Sequence, residues 1–163
     1  MRRTTIAAGI AALALSCGPA PAQDSVEKII DLSEVPKAAM TAARAAAGDV
    51  ELTVGNTETK GDKTVYELRG RMADGMTLEV DVFADGTIEE VEREIDPAEV
   101  PKVVMDAVKA KYPGFTARRV EANERGGQLV EYNIEGRRSD GKMFDVEVKA
   151  DLSEVSGTEF MQP

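Results

Sequence analysis

The sequence has 163 residues, with 20 lysines and arginines, 30 aspartates and glutamates, one cysteine, no histidine and no tryptophan. Without histidine the chain has no Ser-His-Asp or Cys-His relay and no imidazole metal ligand, and one cysteine excludes both an intrachain disulfide and a thiolate zinc cage. A formal net charge of −10 argues against nucleic-acid binding, which requires clustered lysine and arginine to contact the phosphates.

The first residues have the pattern of a bacterial export signal. Arg2 and Arg3 precede an apolar run over residues 6–15, and residues 20–22 (Ala-Pro-Ala) offer small side chains before a cut after Ala22. The run is too short to cross a hydrocarbon core of about 30 Å as a helix. We therefore predict a signal peptide over residues 1–22, no transmembrane span, and a periplasmic or secreted protein.

Cys17 gives the same segment a second interpretation. Residues 14–18 (Ala-Leu-Ser-Cys-Gly) resemble a bacterial lipobox, in which the cysteine is lipidated and becomes the first residue of the mature protein. Ala14 stands where a lipobox usually has leucine, which favours the cut after Ala22. A lipid anchor at Cys17 remains the alternative.

The rest of the chain contains an internal duplication. Residues 31–45 match residues 96–110, and residues 66–85 match residues 132–151 when one inserted residue is allowed for. The matched identities fall in the same order in both copies, which chance does not explain. We predict two repeats, over residues 23–95 and 96–163.

Each copy opens with the pattern Asp-x-x-Glu-Val-Pro-Lys, beginning at Asp31 and at Asp96. The aspartate can cap a first turn, and proline suits the start of the amphipathic helix that follows. Gly48 and residues 113–114 (Pro-Gly) are expected to end the two helices. A short leading helix is expected over residues 25–32. The predicted inward-facing residues are Ala39, Met40, Ala43 and Ala46 in the first copy, and Val103, Val104, Ala107, Val108 and Tyr112 in the second.

After each helix the apolar residues alternate with polar ones, which predicts antiparallel strands with one buried and one exposed face. Dipeptides typical of hairpin turns separate these segments, among them Asp74-Gly75, Asp85-Gly86 and Asp140-Gly141. Residues 155–163 are expected to add a final edge strand. The predicted fold class is α+β, with two tandem α-β-β-β-β repeats in two layers and the helices on one face of the sheet.

Alternation also predicts which side chains point away from the helices. We interpret this face as a candidate partner-binding surface because it mixes charges with two large apolar residues. Its ordinary alternative is a solvated face in which opposite charges pair across strands. The residues assigned to partner binding are Arg69, Arg71, Glu79, Asp81, Phe83, Arg137 and Met143.

No catalytic residue, metal ligand or cofactor site is assigned. Asp81, Asp85, Gly86, Ile88 and Glu92 occupy positions of an EF-hand loop, but Phe83 stands at a ligand position and the flanks alternate like strands. A hairpin turn over residues 84–87 is therefore the better prediction. No glycine-rich phosphate loop is present, and no carboxylate pair stands out for acid–base chemistry.

The duplicated motifs resemble the PepSY-like family. The similarity rests on Val35-Pro36 and Val100-Pro101, on residues 111–114 (Lys-Tyr-Pro-Gly), and on the strands that end at Asp85 and Asp151. Two such units in tandem are similar to the secreted β-lactamase-inhibitory proteins, whose helices back a sheet that grips an enzyme. The resemblance implies exported proteins that bind or restrain enzymes.

Taken together, the sequence predicts a non-catalytic exported protein-binding module of inhibitor type. Its expected partner is another exported protein, such as an enzyme or a peptidase-like target, with a basic or mixed-charge surface. The alternative is an envelope sensor of a small ligand or a cation that uses Asp81, Asp85 and Glu92.

Overall fold

A computed structural model of the chain describes residues 27–160. Its two α-helices are α1 (Lys37–Ala47) and α2 (Lys102–Lys111), each preceded by a 3-10 turn, Leu32–Glu34 and Pro97–Glu99. The strands are β1 (Lys28–Ile30), β2 (Leu52–Lys60), β3 (Lys63–Arg71), β4 (Thr77–Phe83), β5 (Ile88–Ile95), β6 (Thr116–Arg125), β7 (Gln128–Arg137), β8 (Met143–Lys149) and β9 (Val155–Glu159).

The predicted fold class of two tandem helix-plus-sheet repeats is wrong. The nine strands form a single antiparallel sheet in the order β1 to β9, and two α-helices accompany it. The junction between the copies lies inside this sheet, because β5 pairs with β6 from Val91↔Glu124 to Ile95↔Val120. An alternating pattern shows that each segment is a strand, but it does not show which strand lies beside it.

Both helices lie on the same face of the sheet. Val91 packs against the core under α1 and Ile95 packs against the core under α2. These two residues lie four positions apart on β5, so their side chains point to the same side. Both helices therefore cover one face, and within residues 27–160 no helix lies on the other face of the sheet.

The apolar interior consists of two clusters, one beneath each helix. The first joins Ala39, Ala43 and Ala47 of α1 to Leu68 and Val80. The second joins valines of α2 to Phe115, Val120, Ile134, Val146 and Val148. Val103 was predicted to face inward but is 57% exposed, since the buried stripe of α2 runs through Val104 and Val108 at the helical spacing of four.

Both helix entries follow the predicted capping pattern. The carboxylate of Asp31 accepts a hydrogen bond from the backbone N–H of Ser33 at 2.8 Å, and that of Asp96 accepts one from Ala98 at 2.8 Å. These contacts satisfy backbone donors that the turn itself leaves unpaired. The predicted leading helix is wrong for its described part, because Lys28–Ile30 pairs with β2 as an edge strand.

Four irregularities interrupt the register of the described strands. At each of them the following side chains point to the opposite side of the sheet from the one that simple alternation predicts. One lies between Leu52 and Val54 on β2, so that Val54 turns away from the core and is 44% exposed. Another lies in β5, where Asp81 pairs with Glu90 but Val82 pairs with Ile88. Two more interrupt the pairing of β6 with β7.

The predicted signal peptide and Cys17 lie outside the described residues, and the boundary between residues 95 and 96 stays a prediction. The predicted edge strand at the C-terminus is confirmed over Val155–Glu159, which pairs with β8. Among residues 27–160, neither helix has the length and apolar character needed to cross a membrane.

Candidate functional site: the polar face of the sheet

The face of the sheet that points away from α1 and α2 carries most of the charged strand residues. We call it the polar face. Eight of its polar side chains are buried, with 5–9% of their surface exposed. They are Asn56, Glu67, Glu79, Asp81, Glu90, Glu121, Asn123 and Glu131. Neighbouring side chains on the same face must cover them, because the helices lie on the other side.

Three of the predicted partner-binding residues come together at the centre of the first half. The guanidinium of Arg69 donates a hydrogen bond from Nε to Oε2 of Glu79 at 2.6 Å. Its NH2 group also lies 3.8 Å from Oε2 of Glu67. Asp81 is adjacent, and an oxygen of each carboxylate in Glu67, Glu79 and Asp81 lies within 4.8 Å of the others.

The other predicted residues lie towards the ends of their strands. Arg71 donates from NH1 to the backbone carbonyl of Gly75 at 2.7 Å, and Arg137 donates in the same way to Gly141 at 2.7 Å. The structure therefore does not bring all seven predicted residues together, because both arginines are occupied at hairpin turns.

Phe83 and Met143 are half-buried on the polar face, at separate places. The ammonium group of Lys63 lies 5.1 Å from the centre of the Phe83 ring, and Val65 is the cross-strand partner of Phe83. The sulfur of Met143 lies 3.8 Å from NH1 of Arg118. Phe83 thus marks an apolar spot in the first half of the sheet, whereas Met143 belongs to the second half.

A groove of about 410 Å³ crosses the middle of the polar face. Its charged lining joins the two halves of the chain: Arg69, Arg71, Glu79, Glu92, Arg119 and Glu121. The guanidinium of Arg119 pairs with Glu121 at 2.5 Å, with Glu135 at 3.2 Å and with Glu94 at 3.6 Å. Three arginines and three carboxylates therefore share one depression.

Glu92 is the most perturbed acid of this groove. Burial, together with the negative charges of Glu121, Glu79 and Glu90, raises its pKa to about 8, and Arg69 offsets only part of this increase. Burial also raises the pKa of Glu121. A carboxylate in such surroundings is stabilised by any cation that enters the groove.

Two further acids of the polar face have raised pKa values. Burial, with help from Glu79, raises the pKa of Glu67 to about 7. Burial, with help from Glu135, raises the pKa of Asp145 to about 6. The polar face is therefore an acidic surface whose charges are incompletely balanced, and it does not match the evenly paired face that simple alternation suggests.

The EF-hand interpretation is not supported, and the hairpin turn is confirmed. The amide of Phe83 donates to the carbonyl of Thr87 and that of Gly86 donates to Phe83, both at 2.9 Å. The Asp85 carboxylate accepts a hydrogen bond from the amide of Thr87 at 2.8 Å. That contact lowers the pKa of Asp85 and holds its carboxylate at the turn.

Sequence reasoning missed Asn56, Glu67, Glu90 and Glu121 as site residues. Glu67 and Asp81 pair directly across β3 and β4, Asn56 pairs with Glu67, and Glu90 pairs with Asp81. Like charges placed opposite each other in a sheet are destabilising, and that is the signal that points to a functional surface. This signal can be recognised only when the pairing register of β2 to β5 is known, including the irregularity that brings Glu90 opposite Asp81.

No family model matches the chain, and no curated protein matches it. Three of the solved structures that align with it come from Bacteroides, and all are described provisionally as periplasmic proteins. One from Bacteroides vulgatus, assigned to the DUF2874 family, is 20% identical over 83% of this chain and 98% of its own, with a TM-score of 0.33. A second from the same species, of unknown function, is 19% identical over 81% and 98%, with a TM-score of 0.33.

The third structure, from Bacteroides thetaiotaomicron, is described provisionally as calcium-regulated. It is 18% identical over 80% of this chain and 96% of its own, with a TM-score of 0.32. Likenesses at this level establish neither a family nor a function for the present chain.

Proposed function

We propose that this chain is an exported, non-catalytic protein-binding module of inhibitor type, related to PepSY-like proteins, and that it uses the polar face to hold another exported protein. The predicted signal peptide and the PepSY-like motifs support export and the class of protein. The groove on the polar face supports the mode of binding, because it joins acidic and basic residues from both halves of the sheet.

The observation that carries the proposal is the environment of Glu92. Its carboxylate lies in a groove beside Glu79 and Glu121, and its pKa is raised to about 8. A lysine or arginine side chain from a partner would lower this pKa, favour the ionised carboxylate and form strong charge-assisted hydrogen bonds with it. The arginines at the groove, Arg69 and Arg119, would in turn meet acidic groups of the same partner, which gives a mixed-charge interface.

Phe83 supplies the apolar contact that such an interface needs. It is half-buried at the end of β4 and stacks with Lys63. Aromatic anchors account for much of the binding energy in protein interfaces, whereas charges at the rim mainly set the association rate and specificity. We therefore place the energetic centre between the groove and Phe83.

The test is capture of binding proteins from the envelope fraction on immobilised wild type and on three variants. Glu92→Gln removes an ionisable carboxyl group from the groove, and the double variant Arg71→Glu with Phe83→Ala changes the rim and the anchor. Lys37→Glu is the matched control, because Lys37 is exposed on α1 on the opposite side of the sheet. We expect a partner that Lys37→Glu retains and both polar-face variants lose by at least tenfold in affinity.

Inhibition is then measured on the purified partner. If that partner is an enzyme, its turnover should fall when wild type is added and recover with the double variant. A partner that all three variants bind as tightly as wild type would show that the polar face is not the binding surface.

A further inference from the structure

The first half of the polar face contains a second concentration of oxygen atoms beside the groove, with which it shares Glu79 and Arg69. Asn56, Glu67, Asp81 and Glu90 occupy one row of cross-strand partners on β2, β3, β4 and β5. Glu79 lies in the next row, opposite Arg69. All five side chains are buried. They bring four carboxylates and one amide together, with the guanidinium groups of Arg69 and Arg125 next to them.

We infer that these five residues form a binding site for a divalent cation, and that the cation is calcium. The proposal goes beyond partner binding and does not depend on it. Three features support it: the spacing of the carboxylates, buried oxygens without a hydrogen-bond partner, and the kind of donor atom.

The geometry fits an ion held by Glu67, Glu79 and Asp81. One oxygen from each lies within 4.8 Å of the others. Calcium binds oxygen at about 2.3–2.6 Å, so two of its ligands can be no more than roughly 5 Å apart. The three carboxylates can therefore reach one ion with little movement of the strands.

The second observation is that two buried oxygens of the site have no hydrogen-bond partner. One of them belongs to the neutral side chain of Asn56, so the observation is independent of the negative charge of the site. Oδ1 of Asn56 and Oε2 of Glu67 are buried without a hydrogen-bond partner, although these side chains are only 7% and 6% exposed. Asn56 and Glu67 are direct cross-strand partners, so the amide oxygen lies on the same face as the carboxylates. A buried acceptor without a donor costs free energy, and a bound cation would remove that cost.

Glu90 extends the same row. Its Oε2 accepts a hydrogen bond from NH2 of Arg125 at 3.1 Å, whereas its buried Oε1 has no hydrogen-bond partner. Glu90 is the cross-strand partner of Asp81. The site thus offers an oxygen from each of the four strands β2 to β5.

Arg69 does not complete the site by itself. It is hydrogen-bonded to Glu79 and lies 3.8 Å from Glu67, and Arg125 pairs with Glu90, so these two arginines bring two positive charges to a site with four carboxylates. An all-oxygen donor set with several protein ligands suits calcium, which takes six to eight oxygens in flexible geometry. Magnesium prefers an octahedron that retains several waters, and softer metals prefer nitrogen or sulfur.

The test is calcium binding by the purified protein at pH 8, measured by calorimetry and by thermal unfolding, with CaCl2 compared with MgCl2 and with NaCl at equal ionic strength. We expect calcium to bind with one site per chain and to raise the unfolding temperature more than magnesium does. In Glu67→Gln the affinity should fall at least tenfold. The unfolding temperature of Glu67→Gln without calcium should rise, because one of the mutually repelling charges is gone.

Glu147→Gln is the matched control, since residue 147 matches Asp81 in the internal duplication and lies on the exposed part of β8. It should bind calcium as wild type does. Absence of calcium binding at 10 mM, or unchanged affinity in Glu67→Gln, would overturn the inference. Both results are obtained without a partner protein, so they leave the proposed protein-binding function to its own experiment.

Discussion

At the scale of single residues, the polar face contains carboxyl groups whose ionised form is disfavoured, so that a bound proton or a nearby cation stabilises them. Glu92 illustrates this, because burial raises its pKa to about 8 and no basic side chain compensates fully. Its folded-state pKa lies above the usual glutamate value of 4.5. The folded state therefore holds its proton more tightly, and the contribution of Glu92 to stability falls as the pH rises from about 4.5 through about 8.

Replacing Glu92 with glutamine tests whether the contribution of Glu92 to stability falls as the pH rises. Wild type should lose stability between pH 5 and pH 9, and Glu92→Gln should lose less, so that the variant is the more stable protein at pH 9. Thermal unfolding at several pH values measures the difference. Glu99→Gln, in the exposed turn before α2, is the control and should follow the wild-type curve. Parallel curves for wild type and Glu92→Gln would show that Glu92 does not titrate in this range.

At the scale of secondary-structure elements, the two helices pack on the sheet with side chains of different size. Ala39 and Ala43 of α1 are fully buried, and the positions that match them in α2 are Val104 and Val108. Small residues allow the backbone of a helix to approach its sheet closely, whereas valines fill a wider space. The duplicated sequence therefore encodes two helix–sheet interfaces that do not tolerate the same residues.

Exchanging the matched residues should destabilise both interfaces. Ala43→Val adds two methyl groups to a filled space, and we expect a loss of about 1–3 kcal/mol in the free energy of unfolding. Val108→Ala leaves a cavity, and we expect a loss of about 2 kcal/mol. Urea unfolding measures both. Ala45→Val, on the exposed side of α1, should change stability by less than about 0.5–1 kcal/mol.

Two matched positions of the strands, Gly70 and Gly136, have no room for a side chain. A Cβ atom at Gly70 would overlap the backbone carbonyl of Glu51, and one at Gly136 would overlap that of Thr116. Each glycine lies where the neighbouring strand is irregular and approaches closely. We expect Gly70→Ala to cost more than about 2 kcal/mol, because the backbone at Glu51 would have to move.

The same urea experiment checks this expectation, with Thr64→Ala, an exposed residue of β3, as its control. A loss for Gly70→Ala no larger than that of Thr64→Ala would mean that β2 can move away from β3 without penalty. Gly136→Ala should behave as Gly70→Ala does, since both positions meet a carbonyl oxygen.

Particular elements show how far the sequence predicts this structure. The helices, the aspartates that cap the 3-10 turns before them and the hairpin at Asp85 follow from local patterns, because each depends on residues close together in the chain. The edge strand β1 was missed, since a three-residue strand forms only through its pairing with β2. The row from Asn56 to Glu90 was missed for the same reason: it needs the register of four strands, and an irregularity in β5 sets part of that register.

At the scale of the whole molecule, one sheet connects two separate apolar cores. Val91 contacts the first core and Ile95 the second, and the hydrogen-bonded pairing of β5 with β6 continues through both residues. Loss of either core would expose an edge in the middle of the sheet together with one side of β5. The sheet should therefore link the stability of the two halves, although the sequence alone suggests two repeats that meet between residues 95 and 96.

Calorimetry tests this linkage. Wild type should unfold in a single transition whose calorimetric and van't Hoff enthalpies agree. Ala43→Val alters only the core beneath α1, and Val108→Ala alters only the core beneath α2. Each variant should nevertheless lower the whole transition without splitting it, because β5 belongs to both cores. Two resolved transitions, of which Ala43→Val moves one and Val108→Ala the other, would instead show that the two halves unfold independently and that the sheet joins them without making them one cooperative unit.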